Sequence, residues 1–196
     1  KVDANTKALV EVLDGKMTAF LEIGTAQSLV HWLDSIGEVE IKAPVLVVPR
    51  YDSRAGRIDE HIETLQKKIK PRSILLPLEL TRPSYSQAVV NPAATLAEAK
   101  FKIGFLLGDS KTQVRRVFAR LTELVRAGLD RKIALRGITL EPARMLGADE
   151  EVGSLAVGKR ADLLLFDGDP LDPTSSLKQV WRAGRAVREL SSPTKN

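Results

Sequence analysis

Few residues in this chain are of a type that could do chemistry. There is no cysteine, so disulfides, thiolate metal sites and cysteine nucleophiles are excluded. Histidine occurs only as His31 and His61, which caps any internal histidine metal site at two ligands of that type. Both lie in stretches that read as helices, His31 beside Trp32 and His61 near Glu60 and Glu63, and both are expected in surface or packing roles. Asp109-Ser110 follows a strand-like run and admits two readings: Asp109 as a general base, or the pair as a cap for the next helix. Asp167, Asp169 and Asp172 carry oxygen donors suited to calcium, but the interleaved Gly168 and Pro170 favour turn chemistry. Ser175-x-x-Lys178 has a serine-acylase spacing without its companion motifs. The stretch from Gly104 to Thr112 lacks the Gly-Lys-Ser/Thr ending of a phosphate loop.

The 196 residues are 43% apolar and 28% charged, which fits a globular chain of one domain or one and a half. No apolar run approaches the roughly 18 residues of a membrane span, and no signal peptide is visible. Residue 1 is Lys, so the start of the gene product is expected to be missing. The net charge is +5. Its densest run, Lys67-Lys68-Ile69-Lys70-Pro71-Arg72, has no aromatic to stack on bases. It ends an amphipathic stretch, where cations favour the helix dipole. Nucleic acid is therefore not the expected partner.

These residues must be positioned by the elements around them. Ala8, Leu9, Val12 and Leu13 have helical spacing, and Gly15 ends it. Met17–Ile23 reads as a strand, and Ala26–Ser35 as a helix between an N-cap Thr25 and Gly37. Val45–Val48 and Ser73–Leu78 are apolar runs of buried strands, with a helix near 57–69 between them. Thr95–Lys100 reads as a helical turn and Lys102–Leu107 as a strand. Val114 to Ala127 predicts one long helix, stopped by Gly128. Asp130 is expected to cap Arg131–Arg136, and Thr139 to cap Leu140–Leu146. Four strands alternating with helices imply βα units on a parallel sheet, half of the eight that close a (β/α)8 TIM-like barrel. Beyond Gly147 the short β segments Val152–Leu155, Ala161–Phe166, Val180–Arg182 and Ala186–Val187 predict an antiparallel module. The expected division is 1–148, 149–190 and a frayed tail at 191–196.

Two stretches carry a resemblance. One is Val125-Arg126-Ala127-Gly128-Leu129-Asp130, with Thr139-Leu140-Glu141-Pro142-Ala143-Arg144-Met145-Leu146-Gly147 after it. The other is Gly158-Lys159-Arg160-Ala161-Asp162-Leu163-Leu164, continuing to Asp167-Gly168-Asp169-Pro170-Leu171. Together they resemble the amidohydrolase superfamily, in particular the imidazolonepropionase-like cyclic amidohydrolases. The resemblance implies a metal-dependent hydrolase acting on C–N bonds of amides or cyclic amides. It implies that the strands present are the fifth to eighth of the barrel, and that the β module belongs to a composite β-sandwich completed by strands this chain lacks.

The resemblance also implies a metal site with histidines on the fifth and sixth strands and an acid after the eighth. The fifth-strand position falls on Ile23, with Glu22 expected on the opposite side of its strand. The sixth falls on Pro49 and Arg50. None is a histidine, so both internal metal histidines are expected to be lost. The eighth-strand acid falls on Gly108 or Asp109, and Asp109 is the residue carried over as general base. Asp162 is expected as a structural hydrogen-bond acceptor. No cofactor is expected from this chain, and a divalent metal such as zinc only if the missing half supplies ligands. An open half-barrel would expose two sheet edges and an apolar interior, so a partner is expected: the N-terminal half, a second chain or a larger assembly. The alternative is a structural or binding homologue that kept the scaffold without catalysis.

Overall fold

The computed structural model describes residues 3–37, 39, 41, 44–49, 58–68, 73–83 and 85–189. Arg50, the basic run from Ile69 to Arg72, and the tail at 191–196 lie outside the described residues. Four strands, β1 (Phe20–Glu22), β2 (Val45–Val47), β3 (Ser73–Pro77) and β4 (Lys102–Leu106), pair in chain order. Every pairing is parallel, because each return path runs through a helix or a helical crossover. The helices are α1 (Ala4–Leu13), α2 (Ala26–Ile36), α3 (Ile62–Lys68, entered by a 3-10 turn at Ile58–His61) and α4 (Pro92–Glu98).

Strand alternation divides the sheet into two unlike faces. Leu21, Ile23, Leu46, Val48, Ile74, Leu76, Ile103 and Phe105 join one apolar core with Leu29 and Leu33 of α2 and Leu96 of α4. The other face carries Phe20, Glu22, Val47, Leu75 and Gly104, in register across the sheet.

After β4 the chain is helical through α5 (Lys111–Arg115), α6 (Val117–Arg126), α7 (Arg131–Arg136) and α8 (Leu140–Met145). The single helix expected over Val114–Ala127 is therefore two. Ser110 and Gln113 form a capping box that starts α5, and Arg116, at φ −94° and ψ 1°, breaks the ladder before α6. The helical turn expected at Thr95–Lys100 starts three residues earlier, because Asn91 caps it and Pro92 suits its first turn. Buried Asn91 also donates from Nδ2 to the Leu124 carbonyl at 2.8 Å, tying α4 to the end of α6. Asp130 caps α7 as expected. Thr139 does not cap α8: its hydroxyl donates backwards to the Leu135 carbonyl at 2.8 Å.

The α7–α8 turn lies against β4. The Phe105 N–H donates to the Gly137 carbonyl at 2.8 Å, so this outer edge is not bare, contrary to the expectation of two open edges. A Cβ on Gly137 would lie 2.7 Å from the buried Phe105 ring and 3.2 Å from the Ile103 carbonyl oxygen. α8 then closes the N-terminal end of the sheet, where Glu141, Arg144 and Met145 bound a cavity with Val45, Ser73 and Lys102. Glu141 is buried; its Oε1 accepts from Arg136 Nε at 3.0 Å and from Arg144 at 3.3 Å.

The last sheet is antiparallel: β5 (Leu163–Phe166), β6 (Leu177–Arg182) and β7 (Arg185–Glu189). Where a strand was expected at Val152–Leu155 the chain bends at Val152, Gly153 and Ser154. Ala183 and Gly184 both have positive φ (48° and 76°), the geometry a two-residue hairpin turn needs to match strand twist. Phe118 of α6 and Phe166 of β5 pack edge to face with centroids 4.9 Å apart. Thr122 donates to the Leu171 carbonyl at 2.8 Å, and Arg131 pairs with Asp169.

The acids of this sheet are hydrogen-bond acceptors, as expected for Asp162. Asp162 accepts from the Ala183 N–H at 2.8 Å and from Arg160 Nε at 2.7 Å, which hold its carboxyl below the ordinary range. Asp167 is lowered by the Ser176 N–H and then Lys178, and Asp172 by the N–H and hydroxyl of Thr174. Asp167 and Asp172 are thereby turn residues, as their sequence context implied.

Two outcomes follow. Gly137→Ala overpacks a buried contact and should destabilise the chain by about 1–3 kcal/mol, seen as a lower urea midpoint at unchanged slope. The three lowered acids contribute stability that is in place above the unfolded carboxylate value of about 3.9 and is lost as pH falls through their folded values. Carboxylate carbon-13 NMR should place all three midpoints below that value; midpoints at or above it would contradict the assignment.

Candidate functional site

Parallel sheets of α/β proteins bind ligands outside the carboxyl ends of their strands. A cleft of about 340 Å³ lies there in this chain. Pro49 after β2, Pro77 to Glu79 at the end of β3 and Leu106 to Gly108 at the end of β4 form one wall. Thr112, Gln113, Arg116 and Arg120 from α5 and α6 form the other.

The turn that opens the cleft is built from Gly108. Its φ of +77° disfavours other residues, and a Cβ there would lie 2.6 Å from the Gln113 carboxamide. Gln113 Oε1 accepts from the Ser110 hydroxyl at 2.8 Å and from its N–H at 3.2 Å. Ser110 alone supplies the cap. Asp109 stands beside it, exposed, and takes no hydrogen bond or ion pair among the described residues.

The other candidate positions fall as follows. Ile23 is 3% exposed and belongs to the helix-side core. Glu22 is exposed on the opposite face, in register with Val47 and, through it, Leu75 and Gly104. Glu22 is thus the ionisable residue that the end of β1 presents away from the helices. The sequence signal for it was the alternation Phe20, Glu22 against Leu21, Ile23. Pro49 is exposed and lines the cleft. His31 is exposed on α2, and His61 is half-buried at the end of the 3-10 turn.

Among the described residues, no three of His, Asp and Glu approach closely enough to hold a metal ion. Cleft-lining side chains with formal charge are Glu79, Arg116 and Arg120, and two guanidinium groups oppose a divalent cation. Among the described residues, the side chains lining the cleft therefore do not form a site for a divalent cation. Arg120 pairs with Glu123 at 2.8 Å on an exposed face. Thr112 and Gln113 add neutral polar groups.

Comparison with known proteins supports the topology. Adenine deaminase 2 of Jannaschia sp. is 40% identical over 65 residues, covering 33% of this chain and 10% of that protein. Imidazolonepropionase of Treponema denticola is 36% identical over 61 residues, 28% of this chain and 15% of that protein. Among solved structures, an amidohydrolase from Thermotoga maritima superposes with a TM-score of 0.73 at 18% identity, covering 97% of this chain and 48% of that one. A zinc-bound adenosine deaminase from Xanthomonas campestris superposes at 0.57 and 20% identity, over 93% of this chain and 47% of that one. The chain thus spans about half the length of these structures, and its parallel sheet is consistent with part of a TIM barrel. Residues 19–187 match the amidohydrolase family, and the chain belongs to it.

Proposed function

We propose that this chain is the fifth-to-eighth-strand half of an amidohydrolase-family hydrolase that breaks C–N bonds of amides or cyclic amides. The observation that carries this reading is the cleft at the carboxyl ends of β2, β3 and β4 in a chain matching the family over residues 19–187. Asp109, free beside the Ser110 cap at the end of β4, is the general base. It takes the proton of the attacking water and returns it to the departing nitrogen, exchanging a C–N for a C–O bond. The histidine ligands of the fifth and sixth strands are absent in this reading, which Ile23 in the core and Pro49 at the next strand end support.

The division at residues 148 and 149 belongs to the same proposal. So does the composite β-sandwich, which Leu164 at 51%, Leu165 at 53% and Val187 at 62% exposure support. Surfaces of this kind take a covering layer. The rest of the barrel, in the same polypeptide or as a second chain, is the proposed partner.

Turnover of amide and cyclic amide substrates is expected once the remaining barrel strands are joined to this chain, and not before. In that assembly Asp109→Asn should lower kcat by about 100- to 10,000-fold, the range of a lost general base. An unchanged kcat would remove Asp109 from the chemistry. Native mass spectrometry of the protein from its own source should show a longer polypeptide or a second chain; a monodisperse monomer of this chain would contradict the partner.

A further inference from the structure

We propose that the cleft at the strand ends receives an oxyanion, a carboxylate or phosphate group, held by Arg116 and Arg120. The two arginines are four residues apart, at the start of α6 and one turn into it, and both line the cleft. The Arg120 N–H donates to the Arg116 carbonyl at 2.9 Å, so the two residues lie one turn apart at the start of the helix. A guanidinium presents a planar fork of donors that matches a carboxylate or phosphate in bidentate fashion. Arg116 makes no ion pair among the described residues. Arg120 spends one nitrogen on Glu123 Oε2, which leaves donors of its fork to turn toward a ligand.

The neighbouring groups suit the same occupant. Gln113 commits its Oε1 to Ser110, so its amide Nε2 remains as a donor at the rim. Pro49, Leu78 and Leu107 stand on the facing wall beside Glu79. Glu79 on the lining and Glu123 on Arg120 offset part of the arginine charge, and Arg116, which has no ion pair among the described residues, is the guanidinium left to meet an anion. An unpaired guanidinium at the cleft attracts an anion and opposes a cation.

The proposal rests on the hydrolase reading only in placing the ligand at this end of the sheet, and it is tested without turnover. Calorimetric titration of the full chain at low salt, with inorganic phosphate and separately with succinate, should show saturable binding of at least one. The ratio of the two affinities identifies phosphate or carboxylate as the preferred source. Arg116→Gln and Arg120→Gln should each weaken binding about 10-fold, the effect of one lost charge-assisted contact. Arg116→Lys keeps the charge without the fork and should restore only part of the loss. Arg185→Gln, on an exposed site at the start of β7, serves as the charge control and should bind as the unaltered chain does. Circular dichroism of each variant confirms the fold.

Absence of saturable binding up to about 10 mM of either probe, a concentration that exposes even a weak site, would overturn the proposal. So would unchanged affinity in both arginine variants, or an equal loss in Arg185→Gln, which would mean a diffuse charge effect. In the joined assembly the two readings separate. Anion binding without turnover sinks the hydrolase alone. Turnover with an unaltered KM in Arg116→Gln sinks the anion site alone.

Discussion

The period-two alternation of a parallel sheet covered by helices is the constraint on which the rest of the molecule depends. Once the register partners Leu46, Ile74 and Ile103 are committed to the core beneath α2 and α4, the residue next to each along its own strand is committed to the other face. A slip of one residue would bury Glu22 and Lys102 among leucines, at a cost of several kcal/mol for each unpaired charge. The register is therefore not negotiable. It sends Ile23 into the core and Glu22 out of it.

α6 is the second organising element. Its Val117, Leu121 and Leu124 are buried in the core it shares with the sheet. Its Phe118 and Thr122 hold the antiparallel sheet and the Leu171 segment. Its N-cap residue Arg116 and, one turn on, Arg120 line the cleft. One helix thus couples the core, the attachment of β5–β7 and the electrostatics of the strand ends. The break at Arg116 makes this possible, because α5 is free to follow its own cap at Ser110.

The uncovered apolar side chains fit a molecule whose structural relatives are twice as long. Leu155, Val157 and Leu164 are exposed, and Phe20 is exposed on β1, which pairs on one side only within its sheet. At β4, by contrast, Gly137 brings backbone to backbone and satisfies the Phe105 N–H. The two ends of the parallel sheet are consequently unlike, one covered by the chain's own turn and one paired from a single side.

The residues by themselves determined the βα order, the Thr25 and Asp130 caps, the hairpin at Ala183-Gly184 and the family motif after Val125. All of these rest on interactions within a few positions of one another. Boundaries set by distant partners were not legible locally. Asn91 starts α4 while donating to Leu124, and Thr139 turns its hydroxyl back on Leu135 instead of forward. The extent of β6 depends on β5 and β7 on either side of it. At the candidate site, Asp109 was visible as an acid after a strand, yet its release from capping required Ser110 and Gln113 to satisfy each other. Arg116 and Arg120 carried no signal in one dimension. Only packing of α6 on the core puts them at the strand ends, because burial of Leu121 and Leu124 dictates which side of the helix remains for the cleft.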